Sequence, residues 1–119
     1  MAPQEFIFDY IALSELPAIA TAHAMGTKKV LSKGRNDLTR ITQIAWGSLM
    51  PGEAVSEHRH PDMDECFYFI RGSGALTVNG QVHPLHEGLY IRIPAMAEHA
   101  LACTDEKLEF FYFGLQVYS

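Results

Sequence analysis

The chain has 119 residues, of which 48% are hydrophobic and 19% charged, and its formal net charge is −5. This composition is typical of a folded protein, and the length suits one domain spanning residues 1–119. The negative charge argues against nucleic acid as a partner. No apolar run is long enough for a transmembrane helix, so a membrane is not an expected partner. Residues 1–6 show no basic region before an apolar stretch, which makes the cytoplasm the expected location.

The N-terminal third has the weakest pattern. Residues 14–17 suit a short helical turn, and we expect an arm followed by one or two strands around residues 28–31. Five of the nine basic residues fall within thirteen positions: Lys28, Lys29, Lys33, Arg35 and Arg40. We interpret this basic segment as a solvated strand edge or loop. The alternative is an anion-binding rim for a phosphate or carboxylate substrate.

From residue 40 onward the pattern is that of a β protein. Strand-forming residues predict strands at 41–50, 65–70, 75–78, 81–85, 89–93, 97–103 and 108–118. The Asn79-Gly80 pair suits a type I′ turn, in which both central residues have positive φ, so it predicts a tight hairpin. Short strands at this spacing predict an all-β protein, an antiparallel sandwich or barrel.

The last predicted strand contains residues 109–115, and it is apolar on both faces. A strand with one face in water should alternate apolar and polar residues. Either a second sheet or another subunit should therefore cover its outer face. We favour a homodimer formed through a sheet face.

Four residues carry the strongest chemical signal: His58, His60, Glu65 and His99. Three imidazoles and a carboxylate make a complete ligand set for a divalent first-row transition metal. If His58 and His60 lie on one strand, their side chains share a face, with Cα atoms about 6.5 to 7 Å apart. Four protein ligands would leave about two positions open on an octahedral ion, as a catalytic site requires.

The other candidate residues receive an ordinary interpretation. His23, His83 and His86 lack partners at ligand spacing, so we expect them to be plain core or surface residues. Cys103 would share a face with His99, and we expect it to be a small buried side chain rather than a working thiol. Cys66 and Cys103 do not indicate a disulfide framework. Side chains that could orient a substrate are Gln43, Trp46, Tyr68, Tyr90 and Arg92, although a surface ion pair suits Arg92 better and Tyr68 should face outward.

The spacing of these residues resembles the first motif of the cupin family. Five residues separate Gly52 from His58, four separate His60 from Glu65, and six separate Glu65 from Gly72. Every position that this motif fixes is matched.

The spacing of Gly88, Pro94 and His99 resembles a second cupin motif. The chain departs from it at Met96, where the family usually has glycine, and at Cys103, where it often has asparagine. The departure at Met96 could change the shape of the turn. The two motifs together cover residues 52–103.

The resemblance implies a single antiparallel jelly-roll (cupin) barrel with a short N-terminal arm. It also implies that His58, His60, Glu65 and His99 ligate one divalent ion inside the barrel. The ligand set does not choose among Fe, Mn, Zn, Ni and Co. No catalytic residue is assigned beyond these four.

Two functional hypotheses follow. The first is a mononuclear metal-dependent enzyme acting on a small polar metabolite, of the oxygenase, isomerase or decarboxylase type. The second is a barrel that binds or senses a small ligand without turning it over, since function does not follow from fold. A purely structural use of the four residues is the weakest hypothesis.

Overall fold

The computed structural model describes residues 12–33 and 40–117, excluding the side chains of residues 32 and 33. A 3₁₀ turn at Leu13–Glu15 lies where a short helical turn was expected. The ten strands of the described residues are β1 (Ile19–Ala20), β2 (Thr27–Lys33), β3 (Ile41–Leu49), β4 (Ala54–His58), β5 (Met63–Arg71), β6 (Gly74–Val78), β7 (Gln81–Leu85), β8 (Tyr90–Ile93), β9 (His99–Cys103) and β10 (Leu108–Gln116).

These strands form two antiparallel sheets. The larger sheet has the order β1-β2-β3-β10-β5-β8, and the smaller has the order β4-β9-β6-β7. Two facing antiparallel sheets with these crossovers are a jelly roll, so the predicted all-β antiparallel fold is confirmed. Residues 1–11 and Arg35, and with them part of the expected arm and of the basic segment, lie outside the described residues.

The core lies between the two sheets because each strand turns its apolar residues inward at a period of two. Phe67 and Phe69 of β5 stack with ring centroids 5.8 Å apart, and Phe110 of β10 packs against both rings. Leu76 and Leu101 approach from the smaller sheet and belong to the same buried cluster. Aromatic side chains of one sheet therefore meet aliphatic side chains of the other.

The hairpin predicted at Asn79-Gly80 is confirmed. The two residues have φ values of 47° and 81°, and β6 pairs with β7 across them in continuous register. Positive φ at both central positions is what a type I′ turn requires.

One local prediction is wrong. The spacing of His58 and His60 was interpreted as two positions on one strand, whereas β4 ends at His58 and His60 follows it in a loop. The physical reason lies in the next residue, since Pro61 has no N–H for a sheet ladder and restricts the backbone of the residue before it.

The outer face of β10 is not covered by the smaller sheet. That sheet packs on the inner face of β10, against Phe110 and Tyr112. Phe111 and Phe113 point the other way and are half-buried. A second sheet or a second subunit was expected to cover this face. The smaller sheet lies on the opposite side of β10, and the second subunit remains a prediction.

Within the described residues, no helix is long and apolar enough to cross a bilayer.

Cys66 and Cys103 are both buried and free.

Candidate metal centre

The structure brings together all four residues singled out in the sequence. His58 is the last residue of β4 and lies opposite His99, the first residue of β9, in the antiparallel pairing of these strands. Glu65 comes from β5 in the facing sheet, and His60 from the loop between β4 and β5. One potential ligand atom from each residue can be chosen so that all four lie within 4.8 Å of one another.

The turn after Pro94 fixes the position of His60. The backbone N–H of Met96 donates to the His60 carbonyl oxygen at 2.8 Å, and the N–H of Ala95 donates to Asp64 Oδ1 at 2.8 Å. Met96 has φ of 73°, the left-handed conformation that glycine adopts readily and other residues adopt at a cost of about 1 to 2 kcal/mol. The methionine therefore occupies the conformation that glycine favours, and the turn links the two motifs.

Backbone carbonyl groups orient two of the imidazoles. Nδ1 of His58 lies 2.8 Å from the Ser56 carbonyl oxygen, and Nδ1 of His99 lies 2.9 Å from that of Ala97. A carbonyl oxygen only accepts, so Nδ1 must carry the proton in both rings. In the neutral ring, Nε2 then holds a lone pair, which is the form that binds a metal ion.

The charges at the cluster also favour a cation. Glu65 is 9% exposed. Burial raises the pKa of Glu65, but the neighbouring His60 and His99 imidazoles outweigh burial and lower this pKa to about 2. Glu65 is therefore a carboxylate at neutral pH.

The Glu65 carboxylate requires a proton or a metal ion between it and the neighbouring imidazoles. Oε1 of Glu65 lies 3.1 Å from Nε2 of His99 and 3.5 Å from Nε2 of His60. The longer separation is not a hydrogen bond, and the His60 Nε2 atom is buried without any hydrogen-bond partner among the described residues. Lone pairs on Nε2 and on a carboxylate repel unless a proton or a metal ion lies between them. The donor set thus fits a divalent transition metal.

The pKa values of the His58 and His99 imidazoles are shifted in opposite directions. Burial lowers the pKa of the half-buried His58, which keeps that ring neutral and able to donate a lone pair. For His99, burial is outweighed by the hydrogen bonds to Glu65 and to the Ala97 carbonyl, so its pKa is raised. His99 is accordingly the ring most ready to hold a proton when nothing else neutralises Glu65.

A cavity of about 200 Å³ opens from the cluster into the space between the sheets. Its walls are mainly apolar, with Phe67, Phe110 and Leu101 among the lining residues. Polar side chains other than the four also line it: Thr21, His23, Lys28, Gln43 and Tyr112. A cavity of this size has room for a small molecule.

His23, expected from the sequence to be a plain core or surface residue, lines the cavity beside His58. Its ring centroid lies 4.2 Å from that of His58, and its backbone N–H donates to Thr21 Oγ1 at 3.2 Å. Burial lowers its pKa, so the ring is neutral. No signal in the sequence could have found it, because it lies 35 positions before His58 in a loop between β1 and β2.

Tyr112 was also missed. Burial, followed by the charge of Glu65, raises the pKa of its hydroxyl to about 12, so this group keeps its proton at neutral pH. A signal existed in the sequence: with a period of two, Tyr112 shares the inward face of β10 with Phe110 and places the polar tip of a tyrosine in an apolar strand.

Of the proposed substrate-orienting residues, only Gln43 lines the cavity. Tyr68 and Tyr90 are exposed, and Arg92 pairs with Asp64 at 2.7 Å, the surface ion pair that was expected. Cys103 is buried as expected, at the opposite end of β9 from His99, with Sγ donating to the Glu106 carbonyl oxygen at 3.0 Å.

The fold is a small jelly-roll barrel with three histidines and a glutamate clustered inside it. This class of protein has a donor set of the kind that binds metal ions. The sequence profile described as "Cupin domain" matches residues 45–114, more than half of the chain. The chain therefore belongs to the cupin family.

Among curated proteins, the chain is similar to dimethylsulfoniopropionate lyase DddW of Ruegeria pomeroyi. The two are 36% identical over 84 residues, which is 71% of this chain and 55% of the lyase. It is also 32% identical over 71 residues to the polyketide synthase protein CurC of Streptomyces cyaneus, covering 55% and 46% of the two chains. The chain thus spans about half the length, or less, of the curated relatives it matches.

Solved structures share the fold over nearly the whole chain. A predicted oxalate decarboxylase of Thermotoga maritima superposes with a TM-score of 0.81 at 21% identity, covering 91% of this chain and 99% of the other. The polyketide cyclase RemF of Streptomyces resistomycificus superposes with a TM-score of 0.78 at 15% identity, covering 95% and 87%. At these identities the likeness concerns the fold alone.

Proposed function

We propose that His58, His60, Glu65 and His99 bind one divalent transition-metal ion and that the protein is an enzyme acting on a small polar metabolite. The observation that carries this proposal is the orientation of the rings. Two imidazoles are held by backbone carbonyl groups so that Nε2 is the free nitrogen, and the Nε2 atoms of His60 and His99 face the carboxylate of Glu65. Such outer contacts fix the tautomer of metal-binding histidines.

When bound, the ion would supply a Lewis acid that polarises a substrate oxygen. The chain itself supplies the surroundings. Phe67 and Phe110 exclude water from the inner wall, which strengthens polar interactions in the cavity. Tyr112 retains its proton and can donate a hydrogen bond to substrate. His23 is neutral and can accept a proton, so it is the described residue best suited to act as a base.

The relatives favour cleavage or cyclisation reactions over oxygenation. Their names include a lyase, a predicted decarboxylase and a cyclase. We therefore propose a lyase or decarboxylase type of reaction, with isomerase and oxygenase types as the next candidates. The choice of ion among Fe, Mn, Zn, Ni and Co stays open, because all of them accept imidazole and carboxylate ligands.

Metal content and turnover test this proposal together. We expect protein purified without added metal to retain close to one transition-metal ion per chain by elemental analysis. We expect removal of the ion by a chelator to abolish turnover of the small polar metabolite, and re-addition to restore it. Retention of the ion with ligand binding but no turnover would instead indicate a non-catalytic binding barrel. Protein that takes up no ion at all would refute the metal site.

We also propose that residues 1–119 form a single domain that assembles as a homodimer through the outer face of the larger sheet. Aromatic side chains that are exposed or half-buried lie on that face: Trp46, Tyr68, Tyr90, Phe111 and Phe113. An apolar patch of this kind typically marks a protein interface. Sedimentation velocity at micromolar concentration should give the mass of two chains, and the 13.3 kDa of one chain would refute the dimer.

A further inference from the structure

Two neighbouring lysines of β2 point to opposite sides of the larger sheet. Lys28 pairs with Gly47 in the register of β2 and β3, and Lys29 pairs with Trp46. Because paired residues share a face, Lys28 lies on the inner face and Lys29 on the outer face. The inner position places Lys28 among the residues lining the cavity, whereas Lys29 Nζ donates to the Leu13 carbonyl oxygen at 3.0 Å.

Lys28 has capacity to bind a ligand. Its Nζ donates to Gln43 Oε1 at 3.4 Å, which is long for a hydrogen bond, and the acceptor is neutral. Among the described residues, no carboxylate forms an ion pair with Lys28. Since the amide oxygen of Gln43 faces a donor, its NH₂ group remains to donate elsewhere.

The charge balance of the cavity favours an anion. Glu65 is the only acidic residue among the described residues that line it. A divalent ion on the four-residue cluster would more than neutralise that carboxylate, and Lys28 adds a further positive charge. A ligand with one or two negative charges would therefore restore neutrality in a largely apolar space.

We infer that Lys28 and Gln43 bind the carboxylate group of the substrate, so that the substrate is a small carboxylic acid. This rests on the proposed function, because the same cavity would hold the ion and the reacting part of the molecule. One ammonium group beside one amide donor matches the two oxygens of a carboxylate. A phosphate group, with three strong acceptor oxygens and up to two charges, calls for more donors than these walls offer.

Calorimetric titration of malonate into metal-free and cobalt-loaded protein tests this inference. We expect Lys28→Gln to weaken malonate binding about tenfold or more in both forms, as expected for the loss of a charged hydrogen bond. Lys28→Arg keeps the charge and should stay within severalfold of the wild type. Lys29→Gln is the matched control, because this lysine lies on the outer face, and it should bind malonate like the wild type.

The neutral compound malonamide separates recognition of the charge from a change in the cavity. Its binding should be unaffected by Lys28→Gln. Three results would each overturn the carboxylate site. The first is equal weakening of malonate and malonamide binding, and the second is unchanged malonate binding by Lys28→Gln. The third is Lys28-dependent binding of inorganic phosphate without malonate binding. Cobalt uptake, measured first in every variant, shows separately whether the metal site exists. Malonate binding to the metal-free protein then reports on Lys28 even if cobalt is not taken up.

Discussion

Glu65→Ala and His60→Ala are expected to lower the affinity for a divalent metal ion by about 100-fold or more each. Replacing even residues that only orient metal ligands costs 10- to 100-fold, so losing a ligand should cost at least as much. Glu65 is the only negative charge in the cluster, and its removal leaves three neutral donors around a cation. Competition with a chromophoric chelator for zinc or cobalt measures the affinity.

His86→Ala provides the matched control for this pair. His86 is exposed, and among the described residues its side chain hydrogen-bonds only to the Glu87 carbonyl oxygen, 3.1 Å from Nδ1. Its removal should leave metal affinity unchanged, and circular dichroism should show all three variants folded. Full metal occupancy in both Glu65→Ala and His60→Ala would show that these residues are not ligands, and the proposed enzyme would lose its basis.

Gly72→Ala is expected to destabilise the protein by about 3 kcal/mol or more. Gly72 has φ of 101°, and a Cβ atom there would overlap the Lys107 carbonyl oxygen and approach the Leu108 Cα to 2.6 Å. Both obstacles are backbone atoms that cannot rotate away, so the strain of the conformation is added to a steric clash. Urea denaturation followed by tryptophan fluorescence measures the free energy of unfolding.

Gly88→Ala separates the strain of the backbone conformation from the steric clash. Gly88 also has positive φ, 85°, but a Cβ atom there would meet no heavy atom within 4 Å. We expect a loss of about 1 to 2 kcal/mol, the cost of left-handed backbone for a residue with a side chain. Similar losses of unfolding free energy in the two variants would mean that the neighbouring strand moves aside. The close approach of backbone atoms would then not explain the glycine at position 72.

The strand pattern was readable from the sequence because alternation and turn chemistry are local. Asn79-Gly80 predicts its own hairpin, since few residue pairs tolerate two positive φ values. The observed strands β3, β5, β6, β7, β8, β9 and β10 all overlap predicted ones. The spacing of His58 and His60 predicted that both lie on one strand, whereas β4 ends at His58, because Pro61 cannot continue the pairing.

The candidate site could be predicted only in part. His58, His60 and Glu65 are close in sequence, and the cupin pattern connects them to His99, so their convergence could be anticipated. The five basic residues showed no such pattern. Lys28 and Lys29 are adjacent and chemically equal, yet only the register of β2 against β3 places one in the cavity and the other on the outer face.

The sequence by itself determined the all-β class, the hairpin and the identity of the four candidate ligands. The class and the hairpin follow from residue chemistry and short spacings, and the cupin pattern connects His99 to the other three candidate ligands. The tertiary structure alone decided that His23 and Lys28 share the cavity with them, whereas the alternation of β10 already indicated the inward face of Tyr112. All three belong to the larger sheet or to its β1–β2 loop, and the packing of the smaller sheet against it brings them near His58 and His99. Contacts of that kind depend on register and on loop path, which no short-range pattern encodes.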